Sequence, residues 1–294
     1  MNASPLPATS HTFVTTTIDN EYFSKENLVK TELPPLPSSI IRISTLLSDL
    51  NASQSAIAEA ISYDPIFSSR LLRLANSPIY ALHGTVTNLI SAVSTVGNNA
   101  ISEMLMISGV SDSFGRKILN SPAGQKIWHH LLATAMAASE ICHVAKMRGA
   151  DEAFSCGLLH DIGKLILLRA DAPFYTSILE EASCDGALSE IEHRMFGFDH
   201  AELGADAAVS WELPGAVSHM IRYHHQPEKV TAGVAMANIL HIADKFVTLR
   251  LLELDLIELF ESEPVKMLGL KPKQFDKIWE SVSVRLEEVT ATFS

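Results

Sequence analysis

The sequence predicts an all-α protein. Apolar residues recur at helical spacing along most of the chain. Helix-start signals, a Ser or an Asp-Pro pair just ahead of an apolar-periodic run, punctuate these stretches. No stretch alternates apolar and polar residues between turn dipeptides, so strands are not expected.

Residues 1–25 are rich in Ser, Thr, Asn and Pro and have the composition of a flexible tail. Leu33-Pro34-Pro35-Leu36-Pro37 excludes helix and favours an extended segment. Ser38 or Ser39 can cap a helix from about Ile40 to Leu50, with Ile41, Ile43, Leu46 and Leu47 at helical spacing. Ser53 and Ser55 precede an amphipathic turn over 56–62. Asp64-Pro65 starts the next helix, Asp64 as cap and Pro65 in the first position, and Asn76-Ser77-Pro78 stops it. Its apolar face carries Ile66, Leu71, Leu72 and Leu74. Two further helices, Leu89 to Val96 and Ala100 to Val110, flank Gly97-Asn98-Asn99. Lys271-Pro272 opens the last helix, whose stripe is Phe275, Ile278, Trp279, Val282 and Leu286.

Histidine density changes near Ser121-Pro122: 10 of the 12 histidines lie between His129 and His241. On that basis an N-terminal helical layer spans 26–120, a His-rich helical core 121–260 and closing helices 261–294. An apolar content of 47% with 19% charged residues is that of a globular chain. A net charge of −12 argues against nucleic acid and against anionic membrane surfaces as general partners. No apolar run reaches the ~20 residues needed to span a bilayer. The first residues lack the basic start and apolar stretch of a secretory signal, so the expected location is cytoplasmic. Cys142, Cys156 and Cys184 form no paired pattern and no CxxC, and are expected as small buried hydrophobes.

The sharpest chemical motif is Gly157-Leu158-Leu159-His160-Asp161-Ile162-Gly163-Lys164. Imidazole and carboxylate are both good ligands for divalent metals. Adjacent helical residues point about 100° apart, so the pair can share an ion only at the helix surface or at a bend. Gly163 permits such a bend or a close approach by another element. More ligands must come from elsewhere. Candidates are His130, His200, the pair His224-His225, and Asp244, which sits on an apolar stripe where a lone carboxylate is costly to bury. Gaps of 30 residues (130 to 160), 39 (161 to 200), 24 (200 to 224) and 19 (225 to 244) each fit about one helical hairpin, so packed helices can bring these groups together.

The ordered pattern His, His-Asp, His, His-His, Asp resembles the HD superfamily of metal-dependent phosphohydrolases. With Leu33-Pro34-Pro35-Leu36-Pro37, Asp64-Pro65-Ile66-Phe67, Leu71-Leu72-Arg73-Leu74-Ala75-Asn76-Ser77-Pro78 and Trp128-His129-His130, it more closely resembles the HDOD domains, the HD-related output domains of bacterial signalling proteins, over about residues 30–250. The resemblance implies an HD-type helical bundle with an extra N-terminal helical layer. It implies a first metal site of His130, His160, Asp161 and Asp244. His200, His224 and His225 match the further ligands of the binuclear cyclic-dinucleotide phosphodiesterase branch (HD-GYP), with Asp161 bridging and Lys164 facing a substrate phosphate. Two departures stand out. Lys126 occupies the position, one turn before the first His, where that branch is acidic, and His224-His225-Gln226-Pro227-Glu228-Lys229 lacks the Gly-Tyr-Pro signature.

Plainer roles exist for each residue. His160-Asp161 can be a hydrogen-bonded core pair, His200 a cap or surface group, His224-His225 a polar loop, Asp244 a cap, and Lys164 an ordinary exposed lysine. His83, His129, His143, His193, His219 and His241 are expected to be structural or superficial. If metal binds, His-rich ligation with two carboxylates favours one or two ions of iron, manganese, zinc or nickel. The preferred expectation is a regulatory module with a metal site, acting on a signalling partner or a phosphorylated small ligand with weak or no hydrolysis. The alternatives are an active phosphohydrolase using Asp161 and Lys164, and a metal-free interaction scaffold.

Overall fold

The computed structural model describes residues 22–35, 37–49, 51–80, 85–182 and 185–293. Most of the expected tail, together with Leu36, Leu50, His83 and Cys184, lies outside the described residues. Among the described residues every regular element is helical. Among the described residues no helix is long and apolar enough to cross a membrane.

The N-terminal layer comprises α2 (Ser38–Ser48), α3 (Gln54–Ser62), α4 (Pro65–Ala75) and α5 (Leu89–Val96), packed on the first half of α6 (Asn98–Leu119). Two of the expected caps form. Ser53 accepts from the Ala56 N–H, and Asp64 Oδ1 accepts from the N–H groups of Ile66 and Phe67 at 3.1 and 2.9 Å. Ser38 and Ser39 do not cap: they are the first helical residues, and the cap position is Pro37, whose fixed φ suits the entry without a side-chain acceptor. The expected gap at 97–99 shrinks to Gly97, which turns the chain at φ 81° so that α6 starts at once. A second left-handed glycine, Gly115 at φ 73°, kinks α6.

Around α7 (Pro122–Val144) the larger core assembles. α7 packs against α8 (Ala150–Leu159), α14 (Val234–Leu251) and α17 (Pro272–Phe293). Its second half is almost wholly buried and rich in alanine: Ala133, Ala135, Ala137 and Ala138 let neighbours approach closely. Apolar packing passes from the smaller core to the larger one inside α6, between Leu105 and Ile107. The stripe of α17 is buried as expected, with Trp279 half-buried beside Phe246. Cys142 and Cys156 are buried free thiols.

One element was not expected. Tyr22 to Lys25, assigned to the tail by composition, instead lead into α1 (Lys25–Thr31). Ser24 caps it, Phe23 stacks on Phe196, and Lys25 Nζ lies 2.7 Å from Glu202. These are tertiary supports that a seven-residue helix needs and its own sequence does not announce.

Two glycines fix the spacing of the core. A Cβ on Gly157 would lie 2.7 Å from the Ala135 Cα, and one on Gly163 would lie 2.1 Å from the His200 carbonyl oxygen. An exposed helical Gly→Ala change gains up to about 1 kcal/mol. Here backbone must move instead, so Gly157→Ala and Gly163→Ala are each expected to cost about 1–3 kcal/mol. Urea unfolding of the two variants checks the sign; a gain in midpoint for either would show that its contact is not tight.

Candidate metal centre

Five helices and one loop meet at Asp161. The chain breaks between α8 and α9 (Ile162–Ala170), with His160 ending one helix and Asp161 opening the next. The required bend therefore lies at the His-Asp pair itself, while Gly163 serves the close approach of α9 to the start of α12 (His200–Ser210). α7 supplies His130 and α14 supplies Asp244. His224 and His225 follow α13 (Gly215–Arg222).

All seven expected ligand residues meet here. His130 Nε2 is 3.2 Å from His160 Nε2 and 3.1 Å from Asp244 Oδ1. Asp161 divides the cluster. Its Oδ2 is 3.4 Å from His160 Nε2 and 3.7 Å from His130 Nε2; its Oδ1 is 3.2 Å from His200 Nε2 and 3.7 Å from His224 Nε2. His200 Nε2 and His225 Nε2 are 3.0 Å apart, and His225 Nδ1 is 3.6 Å from Asp244 Oδ2. Metal–nitrogen bonds of about 2.0–2.1 Å separate neighbouring donor atoms by about 3–3.4 Å, much the spacing seen.

The far sides of three rings are tied down. His160 Nδ1 donates to the Gly157 carbonyl at 2.8 Å, and His224 Nδ1 to the Ile221 carbonyl at 2.6 Å. His200 Nδ1 donates to Glu192 Oε2 at 2.6 Å. Each ring thus turns Nε2 to the centre, the orientation that backbone and carboxylate acceptors give metal-ligating histidines. Glu192 is fully buried in α11 (Asp185–Phe196); it also accepts the His200 N–H at 2.9 Å and the Tyr175 hydroxyl at 2.5 Å. Sequence reading missed Glu192, and no spacing in the text marks it. It also missed Thr134, buried with its Oγ1 3.4 Å from His130 Nε2, whereas His241, expected as structural or superficial, donates its Nδ1 to the His224 carbonyl at 2.8 Å.

Lys164 is not an exposed lysine. It is buried, with Nζ 2.6 Å from Asp161 Oδ2. His160, His200 and His224 are fully buried, whereas the His130 and His225 side chains keep 15% and 20% exposure and form the rim. Burial opposes charge on both aspartates, yet His160 and Lys164 hold Asp161, and hydrogen bonds from His130 and His160 hold Asp244, well below the usual carboxylate range. Burial also works against a charged His160, but Asp161 and Asp244 carry it up to about 10. Glu192 likewise raises His200 against its burial. Burial and the neighbouring His225 keep His224 well below the ordinary histidine value, and burial takes His225 down to about 4 despite the nearby Asp244.

Two atoms are left over. Asp161 Oδ1 and His224 Nε2 are buried without a hydrogen-bond partner. Beyond this cluster, a looser group of His193, Asp199 and Glu202 is partly exposed and engaged with Lys25.

The HDOD domain family model matches residues 33–227. An uncharacterized protein of Treponema pallidum (strain Nichols) is 27% identical over 221 residues, 71% of this chain and 42% of that protein. The chain thus spans about two fifths of the length of this curated relative. A solved structure from Shewanella amazonensis SB2B, provisionally named a phosphohydrolase, has a TM-score of 0.72 at 22% identity, covering 92% of this chain and 98% of that one. Another from Marinobacter aquaeolei VT8, provisionally named a signal transduction protein, has a TM-score of 0.71 at 23% identity, covering 92% of this chain and 60% of that one. At such identities the likeness is one of fold. With two thirds of its length matched by the family model and the expected helical layers in place, the chain belongs to the HDOD domain family.

Proposed function

We propose that this chain is a cytoplasmic regulatory HDOD module that holds one or two divalent transition-metal ions. It acts by binding a signalling partner or a phosphorylated ligand, with weak or no hydrolysis. The orphaned pair Asp161 Oδ1 and His224 Nε2 carries the metal reading, because buried polar atoms without partners are costly unless a ligand satisfies them. Charge supports it. Among the described residues the buried carboxylates are Asp161, Asp244 and Glu192, and the one buried ammonium is Lys164. With neutral imidazoles the cluster is left with two uncompensated negative charges, which a divalent cation balances. His130, His160, Asp161 and Asp244 would hold one ion, and Asp161, His200, His224 and His225 a second. The donor set suits iron, manganese, zinc or nickel. Convergence of all seven groups speaks against a scaffold of relic histidines. A divalent ion polarises phosphoryl oxygens and lowers the pKa of bound water.

Restraint on hydrolysis follows from access. Lys164, the residue expected to meet a substrate phosphate, is buried against Asp161, and only His130 and His225 reach the rim. Lys126 and the missing Gly-Tyr-Pro signature point the same way. A second reading, an active phosphohydrolase, draws on one feature: Asp161 offers a separate oxygen to each half of the cluster, as a bridging ligand in a two-metal site does.

Protein purified under reducing, metal-replete conditions is expected to carry one to two equivalents of metal by elemental analysis, and the His160→Ala, Asp161→Ala double variant almost none. Metal-free wild-type protein would sink the metal reading. Glu192→Gln removes the charge behind His200 while sparing every direct ligand, and is expected to weaken metal affinity about 10–100-fold. Competition with a chromophoric chelator measures it, and an unchanged affinity would reduce Glu192 to a packing role. In a screen of nucleotides and phosphodiesters with Mn²⁺ or Fe²⁺, turnover is expected to be weak or absent. Robust turnover abolished by Asp161→Asn would favour the second reading.

A further inference from the structure

The largest cavity described outside the cluster, about 1190 Å³, lies between the N-terminal layer and the core, where α4 and the kinked end of α6 face α7. It is ample for a small-molecule ligand, since such sites commonly measure ~300–1,000 Å³. The Gly115 kink shapes one wall, and nothing lies within 4 Å of the place a Cβ would take there.

Its chemistry departs from that of the acidic chain around it. Five charged side chains line it, and both acids are already engaged. Asp112 pairs with Arg70 through two contacts of 3.0 Å, and Asp64 caps α4. Arg116 and Lys126, both exposed, have no ion-pair partner among the described residues. Beside them stand the half-buried indole of Trp128 and the amides of Asn120 and Gln125, over an apolar floor that includes Leu119 and Leu132. Unpaired cations suit phosphate, a flat indole suits a nucleobase, and amides suit base edges.

We propose that this cavity is an effector site for a nucleoside phosphate, with Arg116 and Lys126 on the phosphate and Trp128 against the base. It is separate from the metal cluster, yet the two share a wall: Lys126 and His129 of α7 line the cavity, and His130, the next residue, belongs to the cluster.

The test titrates the full chain, metal-loaded and metal-stripped, with ribonucleoside mono- and triphosphates and cyclic dinucleotides. Free nucleosides and inorganic phosphate serve as comparisons. Calorimetry reads binding, and tryptophan fluorescence reads stacking; Trp128→Phe shows whether Trp128, of the three tryptophans, reports it. At least one nucleoside phosphate is expected to bind in both metal states and to quench the Trp128 signal. Arg116→Ala with Lys126→Ala is expected to weaken it about tenfold or more, as loss of charge-assisted hydrogen bonds does. Metal content should stay unchanged in that variant. The proposal is overturned if no nucleotide binds at millimolar concentration, or if inorganic phosphate binds equally well. It is also overturned if the double variant binds like wild type, or if binding requires metal and vanishes in Asp161→Asn.

Discussion

Charge buried inside a helical bundle has to be balanced where it lies, and the structure is organised around that requirement. Asp161 and Asp244 sit at the centre of the larger core with almost no exposure. A carboxylate removed from water costs several kcal/mol unless partners restore what hydration gave. Lys164 supplies one counter-charge by direct contact. The remainder comes either from protons on His160 and His200 or from a cation, and the two solutions compete for the same lone pairs. The rings are built for either, because their outer nitrogens are committed to fixed acceptors and their inner ones point to the centre.

That arrangement dictates features remote from the aspartates. α7 must come close enough to α8 for His130 to reach His160, which explains the buried alanines along α7 and the glycine opposite Ala135. α12 must begin against α9 for His200 to reach Asp161, which explains Gly163. Glu192 then holds the first residue of α12 by both main chain and ring, and Tyr175 holds Glu192. The support continues outward to α1, whose Lys25 binds Glu202 in the first turn of α12.

Fold class and the residues of the buried cluster were legible because each leaves a local or ordered mark: helical periodicity, Asp64-Pro65, and an ordered series of histidines and aspartates separated by hairpin-length gaps. What escaped has no such mark. α1 is too short to show periodicity and depends on Phe23 and Lys25 meeting distant partners. The cap at Pro37 was misplaced because two serines follow it and only φ/ψ decides between them. Glu192 lies in a polar helix where a buried carboxylate looks like any surface glutamate, and only the fold shows that its neighbour is His200. Lys164 was ambiguous for the converse reason: its burial follows from the carboxylate beside it, and pairing is what makes a buried lysine tolerable.

The position of α7 bears on the proposed coupling between cavity and cluster. Its outer flank borders a cavity with unpaired cations, and its inner flank presents a rim residue, His130, to Asp244 and His160. Tight packing against α8 makes small independent shifts of single side chains costly. Were a ligand on the outer flank to displace α7, the His130 contacts on the inner one would change with it. By linkage, any effect of such a ligand on metal affinity is matched by an equal effect of metal on ligand affinity. Regulation of this sort needs no catalytic turnover, only two positions of one helix that the two occupants favour differently.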